Sequence, residues 1–154
     1  MDKMKKSFEE CKRKKLLLPA KPDEEHIKGH IEKAKHYLKA VDYNIQGGFQ
    51  DVAVANAFYA MYHALLAVLR KQGYEARAQE CAINAVQYLI MEKKIGLDMR
   101  YIDLIRLTDR SKGMDAKNLR EELQYGIKTS VQEAVLKELK KNAIEFVEAI
   151  ETLL

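Results

Sequence analysis

The distribution of proline is the feature that most limits the folds open to this chain. Its two prolines, Pro19 and Pro22, lie close to the start, and residues 23–154 contain none. Because proline ends or kinks a helix, a long stretch without it favours long helices. The alternation of apolar and polar residues that is typical of a half-buried strand is hard to find anywhere in the chain. The sequence therefore predicts an all-α fold.

The spacing of apolar residues predicts two long helices after the prolines. Asp23 is a candidate N-cap, and the segment after it carries apolar residues alternately four and three positions apart, as one face of a bundle helix does. These residues are Ile27, Ile31, Ala34, Leu38, Val41 and Ile45. Gly47-Gly48 ends this helix, and Gly73 ends a second helix predicted over residues 50–72.

The same reasoning assigns the rest of the chain. Three further helices are predicted, over residues 4–15, 78–93 and 98–110. Residues 115–125 fit either a short helix or an ordered loop. Thr129 or Ser130 caps a last helix that runs to the C-terminus, and Glu133 is placed to complete a capping box with Ser130. Short turns between the helices predict an up-and-down antiparallel bundle of four to six helices.

Charge divides the chain into two parts. Residues 1–21 contain eight Lys or Arg and three acidic residues, a balance of 8 − 3 = +5, so the remainder of a chain of net charge +4 sums to −1. We expect residues 1–22 to form a basic helix and linker, and residues 23–154 to form the bundle. A basic arm can contact phosphates, and an arm that is only solvated is the alternative.

Composition indicates an ordinary globular protein. The chain is 47% hydrophobic and 32% charged, and no apolar run is long enough to span a membrane, so no membrane partner is predicted. Cys11 and Cys81 are far apart and belong to no metal-ligand spacing. The sequence therefore predicts unpaired cysteines in a reducing, cytoplasmic setting.

Few residues are spaced as metal or cofactor ligands. His26 and His30 lie four positions apart, so both could hold one metal ion from the same helix face. No third ligand occurs at a matching spacing, and a chance pair on a solvated face is the alternative. A glycine-rich phosphate loop is also absent from the sequence. No metal and no cofactor are predicted.

The stretch from Asn56 to Leu66 carries the strongest functional signal. It is a helix crowded with small and aromatic residues, and its polar members Asn56, Tyr59 and His63 share one face because they lie three and four positions apart. That face is either a polar contact between helices or a site. For Tyr59 and Tyr62, packing with satisfied hydroxyl groups competes with stacking on bases.

This stretch resembles the signature helix of the HEPN family, the higher eukaryotes and prokaryotes nucleotide-binding domain. The resemblance extends over residues 23–154: a first long helix at residues 23–46, a second from Asp51 to Ala64, the Gly73-Tyr74 turn, and a closing helix that includes Ala143 to Val147. It is strongest with an archaeal or bacterial branch that carries a basic N-terminal extension. The resemblance implies an all-α bundle of HEPN type.

Many HEPN proteins are metal-independent ribonucleases whose signature is an Arg followed, after four to six residues, by a His. In this chain His63 matches the His, whereas Asn56 stands at the position of the Arg, and Gln79 lies where a second His is often found. A histidine can act as the acid or base in RNA cleavage, and an arginine neutralises phosphate charge that an amide cannot. The resemblance therefore makes His63 the candidate catalytic residue and Asn56 its polar helper.

The missing cation could come from another arginine. Arg70 lies seven residues beyond His63 and so on the same helix face, while Arg77 and Arg120 could approach from elsewhere in the fold. With Tyr59 and Tyr62, these three arginines are the candidate binding residues.

The resemblance also implies partners. HEPN domains usually form homodimers in which the signature helices face each other, so two copies of His63 would line one cleft. We expect an RNA-, nucleotide- or partner-binding dimer whose ribonuclease activity is weak or lost. The alternatives are an active ribonuclease toxin paired with a minimal nucleotidyltransferase antitoxin, and a purely structural dimer.

Overall fold

The computed structural model describes residues 2–106 and 116–154, and it is predominantly helical. The elements in chain order are α1 (Asp2–Arg13), β1 (Leu17–Pro19), α2 (Glu24–Gln46), α3 (Gln50–Lys71), β2 (Tyr74–Ala76), α4 (Gln79–Met91), α5 (Arg100–Ile105), α6 (Ala116–Tyr125) and α7 (Glu133–Glu151). The predicted helical bundle is confirmed, although its seven described helices exceed the expected four to six.

The α2–α3 hairpin is the centre of the molecule. Asp23 caps α2 as predicted, since its side chain accepts a hydrogen bond from the backbone N–H of Glu25. The chain reverses at Gly47-Gly48, where Gly48 has a φ of +81° that favours glycine. α3 lies in the core, with Phe58, Met61 and Leu65 fully buried, and α6 and α7 pack against it.

By length and composition, α3 is the one described helix that could cross a membrane, which differs from the sequence expectation. An 18-residue stretch of this helix has a mean hydropathy of 1.7, and 61% of that stretch is buried inside the protein. A core helix of a bundle has these same properties, so this finding is weak evidence for a membrane span.

Two short strands were not expected from the sequence. β1 and β2 pair antiparallel, with Leu17 opposite Ala76 and Pro19 opposite Tyr74. Each strand has three residues, too few to show an alternating pattern. The ribbon connects the segment before α2 with the segment after α3, and so it closes the open end of the hairpin.

The cysteines are not free, and that prediction was wrong. The sulfur atoms of Cys11 in α1 and Cys81 in α4 are bonded, and their Cα atoms lie 5.9 Å apart. Two residues 70 positions apart in sequence meet because α1 packs along α4. The cysteine argument for a reducing compartment is therefore removed.

The ends of two predicted helices also differ. α5 ends at Ile105, and the rest of the helix expected over residues 98–110 lies partly outside the described residues. α7 begins at Glu133 after an N-cap at Gln132 that makes no side-chain capping bond. The predicted capping box between Ser130 and Glu133 was therefore wrong, because Glu133 is the first helical residue and not the third.

Candidate functional site

The candidate site is a row of polar and aromatic side chains between α2 and α3, which we call the polar seam. Its members are Asn44 with Asn56, Tyr37 with Tyr59, and His30 with His63. On α2 the residues at positions 30, 37 and 44 are spaced by seven, and on α3 Asn56 and His63 have the same spacing. Seven residues make two helical turns, so each set lies on one face, and the antiparallel helices bring the two faces together.

The two histidines are in direct contact. The Nδ1 atoms of His30 and His63 lie 3.1 Å apart, so one ring donates a hydrogen bond to the lone pair of the other. Such a bond requires at least one neutral ring. Tyr37 stacks on His63, with ring centroids 5.6 Å apart and an interplanar angle of 21°. His63 is therefore held by two residues of α2.

Burial determines the protonation state of this pair. It lowers the pKa of His63 to about 4, and the positive charges that His30 and Lys33 can carry add to the effect. Burial also lowers the pKa of His30, with smaller contributions from His26 and Arg70. Both imidazoles are thus neutral at pH 7, and each can offer a lone pair or an N–H but no charge.

Asn56 is occupied by a partner in the seam. Its side-chain oxygen accepts a hydrogen bond of 2.7 Å from the amide nitrogen of Asn44, and both side chains are partly buried. The amide nitrogen of Asn56 remains the group that could donate toward a ligand. The pair brings no positive charge to this end of the seam.

The tyrosines differ in their surroundings. Tyr59 is partly exposed and packs against Tyr37, with ring centroids 5.7 Å apart. Tyr62, which is also partly exposed, stacks on the buried ring of Phe58 with an interplanar angle of 10°. Burial raises the pKa of Tyr62 to about 12, so its hydroxyl keeps its proton. Tyr59 is the better placed of the two to contact a ligand at the seam.

A family comparison identifies the fold that carries this seam. The model of the HEPN domain matches residues 27–153, which include most of α2, all of α3 and every later element. The chain belongs to the HEPN family. No curated protein matches the chain significantly. The HEPN match begins after α1 and β1, so the N-terminal helix and first strand lie outside the region shared with the family.

In this HEPN domain, the three candidate arginines lie in different places. Arg70 is on α3, two turns beyond His63, and its Nε donates to the backbone oxygen of Lys21 over 2.9 Å. Arg77 is exposed beyond the end of β2, and its backbone N–H pairs with Leu16. Of the three, Arg70 continues the face of the polar seam, whereas Arg77 belongs to the ribbon.

Arg120 is buried in the HEPN bundle, where it packs against the seam residue Tyr59. Only 4% of it is accessible, and its guanidinium lies over the rings of Phe58 and Tyr59, at 4.7 and 5.5 Å from their centroids. It donates to Gln124 over 2.5 Å and to Gln79 over 3.5 Å. Gln79, which lies where the family often has a second histidine, is thus a partner of Arg120 at the start of α4.

Two residues next to the candidate site were not predicted from the sequence as members of it. His30 was weighed only as a metal ligand with His26, whereas its described partner is His63. Lys33 was not considered, and its Nζ lies 5.8 Å from the centroid of the Tyr37 ring. The signal that could have found these residues is the spacing of seven between polar residues on both helices of a predicted hairpin. No group of three or more metal-ligating side chains was found among the described residues.

Proposed function

We propose that this HEPN protein is a dimer that binds RNA along the polar seam and has weak or lost ribonuclease activity. The observation that carries the proposal is the pairing of Asn56 with Asn44 at the position of the family arginine. An amide engaged with another amide cannot neutralise a phosphate during cleavage. The loss of one stabilising donor of this kind costs about 100- to 1000-fold in rate.

The state of His63 supports the same conclusion. A base with a pKa of about 4 is protonated in only a small fraction of molecules at pH 7, so it is a poor general acid. The same low pKa makes His63 a weak general base. Binding does not need either step, because neutral imidazoles and amides can still hydrogen-bond to ribose and base edges.

The surroundings of the seam offer contacts of the kinds that single-stranded RNA uses. Tyr37 and Tyr59 are partly exposed aromatic rings on which a base could stack. Lys33 is exposed next to Tyr37, and Arg70 lies at the far end of the seam. These two cations could hold phosphates on either side of a base bound at the histidines.

The alternative is an active, metal-independent ribonuclease toxin paired with a minimal nucleotidyltransferase antitoxin. One observation favours it: the contact between His30 and His63 provides two imidazoles in one subunit, which could serve as acid and base. Lys33 would then have to supply the missing charge. A nucleotidyltransferase gene next to the gene for this chain would support the pairing. Under both functions we propose a dimer that acts in the cytoplasm.

The test is RNA cleavage and binding in the absence of metal, on one structured RNA, with the wild type, His63→Ala and Asn56→Arg. We expect the wild type to bind without cutting, His63→Ala to bind more weakly, and Asn56→Arg to gain cleavage. Matched controls are His26→Ala, which removes an exposed histidine of α2, and Gln46→Arg, which adds the same charge at an exposed position of the hairpin.

Each result separates the two functions. Cleavage by the wild type that disappears in His63→Ala would establish the ribonuclease and refute the proposal of a non-cleaving protein. A wild type that neither cuts nor binds RNA would refute both. If Gln46→Arg gains as much binding or cleavage as Asn56→Arg, the added charge acts through general attraction and not through the seam.

A further inference from the structure

The N-terminal helix is part of the folded body. α1 and α4 run antiparallel, because Ser7 contacts Asn84 and Cys11 is bonded to Cys81: the residue number rises on α1 as it falls on α4. The Ser7 hydroxyl oxygen accepts a hydrogen bond of 2.8 Å from Asn84 Nδ2. Phe8 fills the space between the helices and is 4% exposed.

This antiparallel packing brings together lysines that are distant in sequence. The start of α1 lies beside the end of α4, so three lysines of α1 and two that follow α4 share one end of the molecule, which we call the basic end. Its members are Lys3, Lys5, Lys6, Lys93 and Lys94, and all five are exposed. With the neighbouring acids Asp2 and Glu92, the local balance is 5 − 2 = +3.

The lysines of the basic end are not neutralised within the part of the chain that the structure describes. None of the ion pairs found there includes them, whereas Lys12, Arg13 and Lys14, further along α1, pair with Glu9 and Glu10. The positive charge of α1 is therefore most available at its first turns. Unpaired lysines grouped on one surface attract polyanions.

We propose that the basic end binds the phosphate backbone of a nucleic acid. This second contact rests on the proposed RNA-binding function and extends it beyond the polar seam. Lysine ammonium groups act as point charges that neutralise phosphates without reading base sequence. The helix α1 lies outside the region that matches the family model, whereas Lys93 and Lys94 lie within it.

The surroundings of the basic end favour a nucleic acid over a protein or a membrane. The large apolar side chains that are exposed in the described structure lie elsewhere: Tyr43, Phe49, Val52, Tyr125, Ile127, Val135 and Leu154. A protein partner needs apolar anchors at the centre of its interface, and a phosphate backbone needs none. A membrane-binding helix must insert its apolar face, but Phe8 and Cys11 of α1 are buried against the bundle.

The test measures the affinity of the full-length chain for single-stranded RNA and for DNA of the same sequence, over a range of salt concentrations. The variant is K3Q/K5Q/K6Q. We expect it to bind both strands about 10- to 100-fold more weakly near 0.1 M salt, and to lower the slope of log affinity against log salt by about 2, since each phosphate contact on a single strand contributes about 0.7. The loss should be equal for RNA and DNA, because lysines do not read the 2′-hydroxyl.

Two further variants complete the test. One measures the effect of removing positive charge elsewhere on the protein, and the other removes the two lysines that follow α4. K128Q/K137Q/K141Q removes three exposed lysines around and along α7, and its salt slope should match that of the wild type. K93N/K94Q removes the α4 part of the basic end and should lower the slope by about 1.4. Asn is chosen at Lys93 because that residue has a φ of +60°, which Asn tolerates.

The outcomes separate this inference from the function on which it rests. An unchanged salt slope in K3Q/K5Q/K6Q, an equal loss in the α7 control, or a loss confined to RNA would overturn it. The inference would also be overturned if K3Q/K5Q/K6Q lost its binding to anionic lipid vesicles but kept its affinity for RNA. If His63→Ala binds as the wild type does while K3Q/K5Q/K6Q fails, the basic end stands and the polar seam is not the RNA site.

Discussion

At the scale of single residues, His63 shows how a helix pair changes the chemistry of a side chain. Alone, a histidine titrates near neutral pH, but Tyr37 covers one face of this ring and His30 occupies its Nδ1. The ring therefore stays neutral over the pH range in which histidines usually act as switches. His63 links α3 to α2 through its contacts with His30 and Tyr37.

The stability of the protein should fall as the pH is lowered from 7 toward 4. The unfolded chain binds a proton at His63 near pH 6.5 and the folded chain only near pH 4, so protons favour the unfolded state in this window. For a half-buried ring, we expect about 1 kcal/mol after allowance for solvent screening. Thermal unfolding of the wild type and His63→Gln at several pH values measures this contribution. Identical pH dependence in the two proteins would show that His63 is not responsible.

At the scale of the elements, α1 and α6 are attached to the bundle in different ways. The contact of α1 with α4 is closed by a covalent bond between Cys11 and Cys81. α6 packs on α3 through the buried guanidinium of Arg120 and the rings of Phe58 and Tyr59. One attachment depends on redox state and the other on packing and hydrogen bonds.

Replacing both cysteines by serine should destabilise the protein. A bond that closes a loop of 70 residues lowers the entropy of the unfolded chain, an effect of about 4 kcal/mol in the chain-entropy model. Denaturant unfolding with and without reductant measures it. The wild type should lose stability on reduction, and the double serine variant should not respond. A wild type that is equally stable in both conditions would show that the disulfide adds nothing.

Arg120 should prove to be a structural residue. Arg120→Ala would leave a cavity against Phe58 and cost about 2–3 kcal/mol, whereas Arg120→Met fills a similar volume and should cost less than about 1 kcal/mol. RNA affinity of Arg120→Met should equal that of the wild type. If Arg120→Met is stable but binds RNA much more weakly, Arg120 belongs to the binding surface after all.

At the scale of the whole molecule, the HEPN bundle exposes the polar seam along one side of α2 and α3 and the basic end at the junction of α1 and α4. Most of α3 is buried by neighbouring helices, but Tyr59 and His63 remain partly exposed. A second copy placed over α3 would therefore contact the seam directly. The proposed dimer and the proposed site share one surface.

Sedimentation at several concentrations should show a particle of twice the chain mass, 2 × 17.8 = 35.6 kDa. The physical reason is that α3, partly exposed along the seam, offers the same patch on both copies of a symmetric dimer. A matched measurement on Tyr59→Asp, which adds a charge at this surface, should show a shift toward monomer. A chain that sediments as a monomer at all concentrations would contradict the proposed dimer and the composite cleft.

Much of the fold could be predicted from the sequence, and so could one residue of the candidate site, His63. The helices follow from apolar spacing because residues such as Ile27, Ile31 and Ala34 recur at the helical period, and Asp23 is a cap by its chemistry. His63 was identified by its resemblance to a signature. The rest depends on contacts between distant segments: the β1–β2 ribbon, the Cys11–Cys81 bond and the His30–His63 contact. A local pattern cannot reveal which of several distant residues will meet.

The Cys11–Cys81 bond also affects how a cut in the chain is detected by gel electrophoresis. The bond spans the exposed Gly47-Gly48 turn, so the pieces on either side of a cut at that turn remain covalently joined. A protease that nicks the turn should leave a single band on a non-reducing gel and two bands after reduction. Two bands without reductant would mean that the cysteines are not joined. A preparation judged whole under non-reducing conditions can therefore already be in two pieces.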